Sequence, residues 1–204
     1  MQNLFLIIFL FFGSAIHAKT RFYLDRSVYK SMHYTTLFIE SGAMVQAVYY
    51  EAVRQLIPQL ESRYGLKLQN RGEAHITAIT PPEYTGATNA QKIGLCNLIS
   101  SGEIHSRYRS VIQKLKFQAL CIGSRQTPDG KLVFFLVLRS PGLMQLRKDL
   151  QSIYEERGRL SKIPTQFSAQ NYWPHITIGY IKDDVHGVSK GVETCLPDTE
   201  LIVR

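Results

Sequence analysis

No Cys-x-x-Cys pair and no His-Glu-x-x-His run occurs in the 204 residues. The chain therefore has neither the ligand spacing of a structural zinc site nor the helix-borne pattern of a zinc hydrolase. Cysteine is scarce: Cys96, Cys121 and Cys195 are the three, and none sits beside a histidine in a way that points to a thiol nucleophile. No dense Lys/Arg run occurs either, although 24 basic against 16 acidic residues leave a formal net charge of +8. That surplus favours anionic partners such as RNA, nucleotides or anionic membranes, and it equally fits a soluble basic protein. Hydrophobic content of 45% and charged content of 20% are ordinary for a globular chain. This length supports one domain of good size or two small lobes.

The first eighteen residues are a different material. Leu4 to Phe12 is unbroken apolar sequence, and Gly13-Ser14-Ala15-Ile16-His17-Ala18 follows with small residues and a cut site after Ala18. This reads as a signal peptide over 1–18, leaving a mature 19–204 that is secreted or periplasmic. The run is too short for a comfortable transmembrane helix. No Lys or Arg precedes it, the one feature that favours an uncleaved anchor instead. No cysteine lies near the cut, so nothing marks a lipid-modified terminus. In an oxidising compartment two of the three cysteines pair and one is left over, and spacing does not choose the pair.

Along the mature chain, Lys19 to Met32 is mixed and basic and reads as a surface approach segment. His33 to Glu40 has strand composition, with His33 a structural residue. Met44 to Tyr64 carries helical spacing at Val45, Val48, Tyr49, Ala52, Leu56 and Leu60, with Pro58 set to kink or divide the helix and Gly65 to cap it. Pro81 to Gly86 reads as a loop. Asn89 to Ile112 holds helical stretches broken around Ser100-Ser101-Gly102, and His105 there reads as a surface residue. Lys116 to Ile122 and Lys131 to Leu138 form a strand pair joined by the turn Thr127-Pro128-Asp129-Gly130. Val133 to Leu138 is apolar on both faces, which places it centrally in a sheet. Ser140-Pro141 opens a helix that ends at Gly158, with Leu143, Leu146, Leu150 and Ile153 buried and Arg147, Lys148 and Arg157 facing water. A loop containing Pro164 leads to Asn171-Tyr172-Trp173-Pro174, and the tail after Asp183-Asp184 has weak periodicity. The order predicts an α+β fold of two similar lobes, each with an antiparallel sheet, and helices on the outer faces.

What recurs is a tripeptide. His75-Ile76-Thr77 and His175-Ile176-Thr177 stand a hundred positions apart, both in short β-branched stretches bounded by proline. On a strand, His and Thr at i and i+2 share one face while Ile takes the other. Each copy offers an imidazole and a hydroxyl side by side over an apolar back. The bland alternative is two unrelated strand histidines, hydrogen-bonded in or near the core.

Two His-x-Thr strands at this separation resemble the two-histidine phosphoesterase superfamily, which includes 2′-5′ RNA ligase-like proteins and cyclic nucleotide phosphodiesterases. The resemblance implies two pseudo-symmetric lobes with both motifs at the floor of one central groove. It implies His75, Thr77, His175 and Thr177 as the catalytic groups, without a metal or other cofactor. It further implies hydrolysis of a 2′,3′-cyclic phosphate or 2′-5′ phosphodiester of RNA or nucleotides. The chemistry agrees. One imidazole takes the proton of the attacking water, the other gives one to the leaving oxygen, and two hydroxyls donate to the non-bridging oxygens. Which histidine is the base stays open. The partners expected are RNA ends or nucleotides bearing a cyclic phosphate, with a monomeric chain, no obligate protein partner and no membrane anchor after cleavage.

Trp173 shares strand parity with His175, so its ring reaches the groove to stack on a base or, with Tyr172, packs the lobe interface. Two other functions stand beside the enzyme. One is a catalytically inactive secreted RNA- or nucleotide-binding protein. The other makes His75 and His175 zinc ligands with Glu73 or Asp183, which leaves the threonines without a role.

Overall fold

The computed structural model of the chain describes residues 19–30, 35–38, 43–86, 94–162 and 167–204. The leader, His33, residues 89–93 and Pro164 lie outside the described residues. Strands β2 (Thr35–Phe38), β3 (Ala43–Ala47) and β4 (His75–Ile79) form one antiparallel sheet in that order. Strands β5 (Gln118–Gln126), β6 (Leu132–Arg139) and β7 (His175–Ile181) form a second. β6 is central, and Val133 to Leu138 are all buried, as a strand covered on both faces must be. A third pair joins β1 (Thr20–Leu24) to β8 (Thr199–Val203), in parallel. Helices α1 (Tyr50–Arg54), α2 (Leu56–Tyr64), α3 (Pro81–Thr85), α4 (Ser101–Gln113) and α5 (Pro141–Ser161), with short 3-10 turns at Arg26–Tyr29, Leu95–Asn97 and Val192–Thr194, complete the elements of the described chain. The class is α+β with antiparallel sheets, as expected. One large core runs through it, with Leu24, Leu56, Ile76, Leu136, Leu150 and Ile176 among its members.

Several local expectations change. Of the stretch Lys19 to Met32, the described residues 19–30 are not a surface segment: Phe22, Leu24 and Val28 are buried, and β1 finds its partner at the far end of the chain. The helix expected over Met44 to Tyr64 begins only at Tyr50, because 43–47 is the middle strand of a sheet. Met44, Val45 and Gln46 are all buried, and a short run buried on both faces shows no alternation to distinguish it from a helix. Pro58 does divide the helix, with α1 ending at Arg54, the residue four before it, whose carbonyl the proline ring would strike. Gly65 caps α2 in the left-handed region, at φ 63°.

Pro81 to Thr85 is a helical turn rather than a loop. The Thr80 backbone N–H donates to the Glu83 carboxylate at 2.8 Å, and two prolines open the turn. Ser100 caps α4 by accepting from Glu103 N, so the Ser-Ser-Gly break is a helix start. α5 runs past Gly158 to Ser161. Ser140 precedes it, but its hydroxyl donates to Lys116 O and caps nothing. Arg147, expected in water, is 0% exposed.

Candidate active site

β4 and β7 are the facing edges of the two three-stranded sheets and pack side by side. Each carries its motif at its first three positions. His75 and Thr77 are half-buried while Ile76 and Ala78 are buried; His175 and Thr177 are half-buried while Ile176 and Ile178 are buried. The register repeats as well. Val45 pairs with Thr77 but Met44 with Ile79, so Ala78 is passed over. Phe135 pairs with Thr177 but Phe134 with Gly179, so Ile178 is passed over. Both strands thus bulge directly after the threonine, a feature that bends a strand and re-aims its side chains.

Three ties hold the two strands in place. Gln69 and Tyr180 exchange both backbone hydrogen bonds at 2.9 Å, binding the approach to β4 against the end of β7. Gly179 permits that crossing, since a Cβ there would come 2.9 Å from Gln69 O. The Tyr172 hydroxyl donates to Thr77 O at 2.5 Å, reaching from the lip of one motif to the backbone of the other. Arg147, on α5, donates to Ala78 O at 2.7 Å and Ser168 O at 3.0 Å and pairs with Glu83 at 2.6 Å. Its guanidinium also stacks on the rings of Tyr172 and Phe167.

The charges around the imidazoles form a chain. Arg71 Nη2 lies 3.4 Å from Asp184 Oδ2, and Asp184 Oδ1 lies 3.5 Å from Lys190 Nζ. Lys190 Nζ in turn lies 3.2 Å from His175 Nε2. Thr177 Oγ1 donates to Asp184 Oδ2 over a long 3.4 Å. His175 Nδ1 is 2.7 Å from Trp173 O. A carbonyl accepts only, so Nδ1 carries the proton and Nε2 presents a lone pair to the ammonium. Burial, and then the Lys190 charge, push the His175 pKa down to about 3, so the ring is neutral at physiological pH. His75 is also lowered by burial, but Glu73, 3.4 Å from its Nδ1, opposes the shift. The Asp184 carboxylate favours the charged form of both imidazoles, and a charge on His75 further depresses His175. Burial likewise lowers Lys190, against the pull of Asp184.

The four motif residues thus lie on adjoining strands. Trp173, 38% exposed, flanks a cleft of about 290 Å³ lined also by Pro174, Lys190, Val192 and Glu193. Tyr172 is turned the other way, with its hydroxyl on Thr77 O and its ring under Arg147, and burial raises its phenol pKa. Asp183 is exposed and pairs with Lys131. Among the described residues no group of three or more His, Cys, Asp and Glu could hold a metal ion. Sequence reasoning missed Arg71, Asp184 and Lys190. Lys190 had no local signal: it reaches His175 because the tail folds back along β5. Leu196 N donates to Ile122 O, Arg125 Nε donates to Ser189 O, and a disulfide joins Cys121 to Cys195. Cys96 is the free, exposed thiol.

The two bulged edge strands, each bearing His-x-Thr, both fall within the stretch that a family model matches. The family model described as "Swiss Army Knife, 2H phosphoesterase domain" matches residues 45–186, well over half of the chain, and the chain belongs to that family. No curated protein and no solved structure matches it.

Proposed function

We propose that the protein is a metal-independent phosphodiesterase that hydrolyses a 2′,3′-cyclic phosphate or a 2′-5′ linkage of RNA or nucleotides. Membership of the family supports a hydrolase acting on a phosphodiester. The observation that carries the finer reading is the pair of matching strands, β4 and β7, whose His-x-Thr groups share burial pattern and bulge. We read the two antiparallel sheets as pseudo-symmetric lobes about the groove between these strands.

His175 Nε2 is the base, since its ring is held neutral with the lone pair outward from Nδ1–H. His75 is the acid. Glu73 favours its protonated form, and the negative charge of a bound phosphodiester favours it further. Water attacks phosphorus as His175 takes its proton, and the ester oxygen leaves with the proton of His75. Thr77 and Thr177 donate to the non-bridging oxygens, where charge develops. The Trp173 ring and the cleft beside it offer a stacking surface for a base. Both ring nitrogens of His175 already have partners, one of them a cation, which disfavours a metal there.

Export is part of the same proposal. A disulfide between Cys121 and Cys195 suits an oxidising compartment. The mature chain, beginning near Lys19, would then be secreted or periplasmic and act as a monomer, without an obligate protein partner. N-terminal sequencing from the native host tests this, and an intact Met1 in a membrane fraction would favour an anchor.

The deciding experiment incubates the mature chain with 2′,3′-cyclic nucleotides and 2′-5′ dinucleotides in excess chelator. Turnover with a bell-shaped pH profile is expected. His75→Ala and His175→Ala should each cost on the order of a hundredfold, and the double variant less than the product. If both single variants keep full activity, or zinc restores what chelator removes, the mechanism is wrong. Binding without turnover would mark an inactive nucleotide binder.

A further inference from the structure

Lys190 is 4% exposed, an expensive place for an ammonium group. Asp184, itself buried, is its carboxylate partner among the described residues, and the ammonium lies 5.4 Å from the centroid of the Phe135 ring. Asp184 Oδ1, at 3.5 Å, is too long for a good hydrogen bond, and this buried oxygen has no aligned partner among the described residues. The shorter contact, 3.2 Å, goes to His175 Nε2, the nitrogen needed for proton transfer. The same side chain lines the cleft beside Trp173. Lys190 also lies beyond the segment matched by the family model, so membership of the family assigns it no role.

We propose that Lys190 is a third catalytic group. Its ammonium covers the base nitrogen of His175 in the free enzyme and swings onto a non-bridging phosphate oxygen when substrate binds. This rests on the phosphodiesterase reading above. Lysine has three donors; His175 Nε2 takes one at 3.2 Å and Asp184 holds the ammonium only loosely at 3.5 Å, so a phosphate oxygen can be reached by rotation of the stem. The exchange does two things. Lys190 meets the charge building on the phosphorane oxygens, and His175 loses the neighbour that suppresses its basicity. The proton balance is unchanged: water gives a proton to His175 as the P–O bond forms, His75 gives one to the leaving ester oxygen as that bond breaks, and Lys190 keeps its three. The other groups facing this pair are His75, Asp184 and the Trp173 carbonyl, with Arg71 behind Asp184. All stay in place during the exchange.

The test uses the mature chain, Lys190→Met and Lys190→Arg, with inorganic phosphate as the binding probe and the His175 imidazole followed by NMR. Lys190→Met should lose a hundredfold or more in kcat on the cyclic substrate, with Lys190→Arg recovering part of the loss. It should bind phosphate at least tenfold more weakly. Its His175 should titrate at higher pH than in the wild type, because the suppressing charge is gone, and adding phosphate to the wild type should move the same titration upward. A merely structural lysine would still raise the His175 titration on removal, through the lost charge, but would leave phosphate affinity and kcat unchanged in a folded variant, and that result overturns the proposal. If Lys190→Met does not fold, Lys190→Gln and Lys190→Arg decide by the same two measurements. If the wild type turns over no phosphodiester, the functional reading fails, while the phosphate affinity of the variants still supports or overturns the contact of Lys190 with phosphate.

Discussion

Replacing Arg147 should be among the most damaging single changes in the molecule, although the side chain touches neither imidazole. Its guanidinium is wholly buried and serves Ala78 O, Ser168 O and both oxygens of Glu83. Arg147→Met keeps much of the volume but orphans two carbonyls, at roughly 1–3 kcal/mol each where water cannot reach them. Breaking a buried pair from one side costs about 3–5 kcal/mol. The contributions overlap, and the Glu83 side chain keeps 22% exposure, so water recovers part of that loss. We expect a net loss of about 4 kcal/mol against a typical total of about 5–15 kcal/mol. At roughly 2–4 °C per kcal/mol the midpoint should fall by about 8–16 °C. Arg147→Lys, a point charge without the fork, should recover about half. A double-mutant cycle with Glu83→Gln should give a coupling of about 1–3 kcal/mol. Because Ala78 O and Tyr172 both position the Thr77 backbone, the folded variant should also turn over on the order of tenfold more slowly. The assay is urea and thermal unfolding by circular dichroism with the disulfide intact. A midpoint for Arg147→Met within a degree or two of the wild type, or a coupling near zero, would refute the clamp.

Thr77→Ala and Thr177→Ala should each cost up to about 3 kcal/mol of transition-state stabilisation, read as kcat with KM little changed. For pH, the His175 pKa is about 3 folded against about 6.5 unfolded. The folded state therefore binds fewer protons, and stability from this group is full above about pH 6.5 and declines as pH falls towards 3. Urea midpoints should show a smaller loss between pH 7 and pH 4.5 in His175→Asn than in the wild type, and equal slopes would refute the assignment. The native protein should present one reactive thiol, Cys96, and three after reduction. Closing a loop across a sequence separation of 74 is worth about 4 kcal/mol on the chain-entropy model. Removing the disulfide as Cys121→Ala/Cys195→Ala should lower the unfolding free energy by that order; three reactive thiols in the native chain would refute the pairing.

Where the sequence misled, competing signals of equal strength were present. Arg147 is four residues after Leu143 and three before Leu150, so helical spacing already put it on the buried stripe. The expectation of a solvated charge overrode that geometry, and the paired carboxylate that makes burial tolerable, Glu83, lay far off on another helix. The Thr80-Pro81-Pro82-Glu83 start of α3 was legible as a capping box with prolines in the first turn. β3 was not legible, because a strand buried on both faces loses its alternation.

The sequence alone determined what repeats and what each copy can offer: a histidine and a threonine on one face, an apolar residue on the other, because strand geometry makes side chains alternate wherever β-branched residues hold the chain extended. It also determined the central position of β6, the turn before it and the division of the first helix at Pro58. Only the tertiary structure decided that β4 and β7 are neighbouring edges, that Tyr172 and Arg147 lock them together, and that Asp184 and Lys190 stand behind His175. Those contacts join residues distant along the chain, and their energies come from burial and from partners that no local pattern names. The chemistry of a histidine is written in its side chain, but its proton affinity is set by what the rest of the chain folds against it.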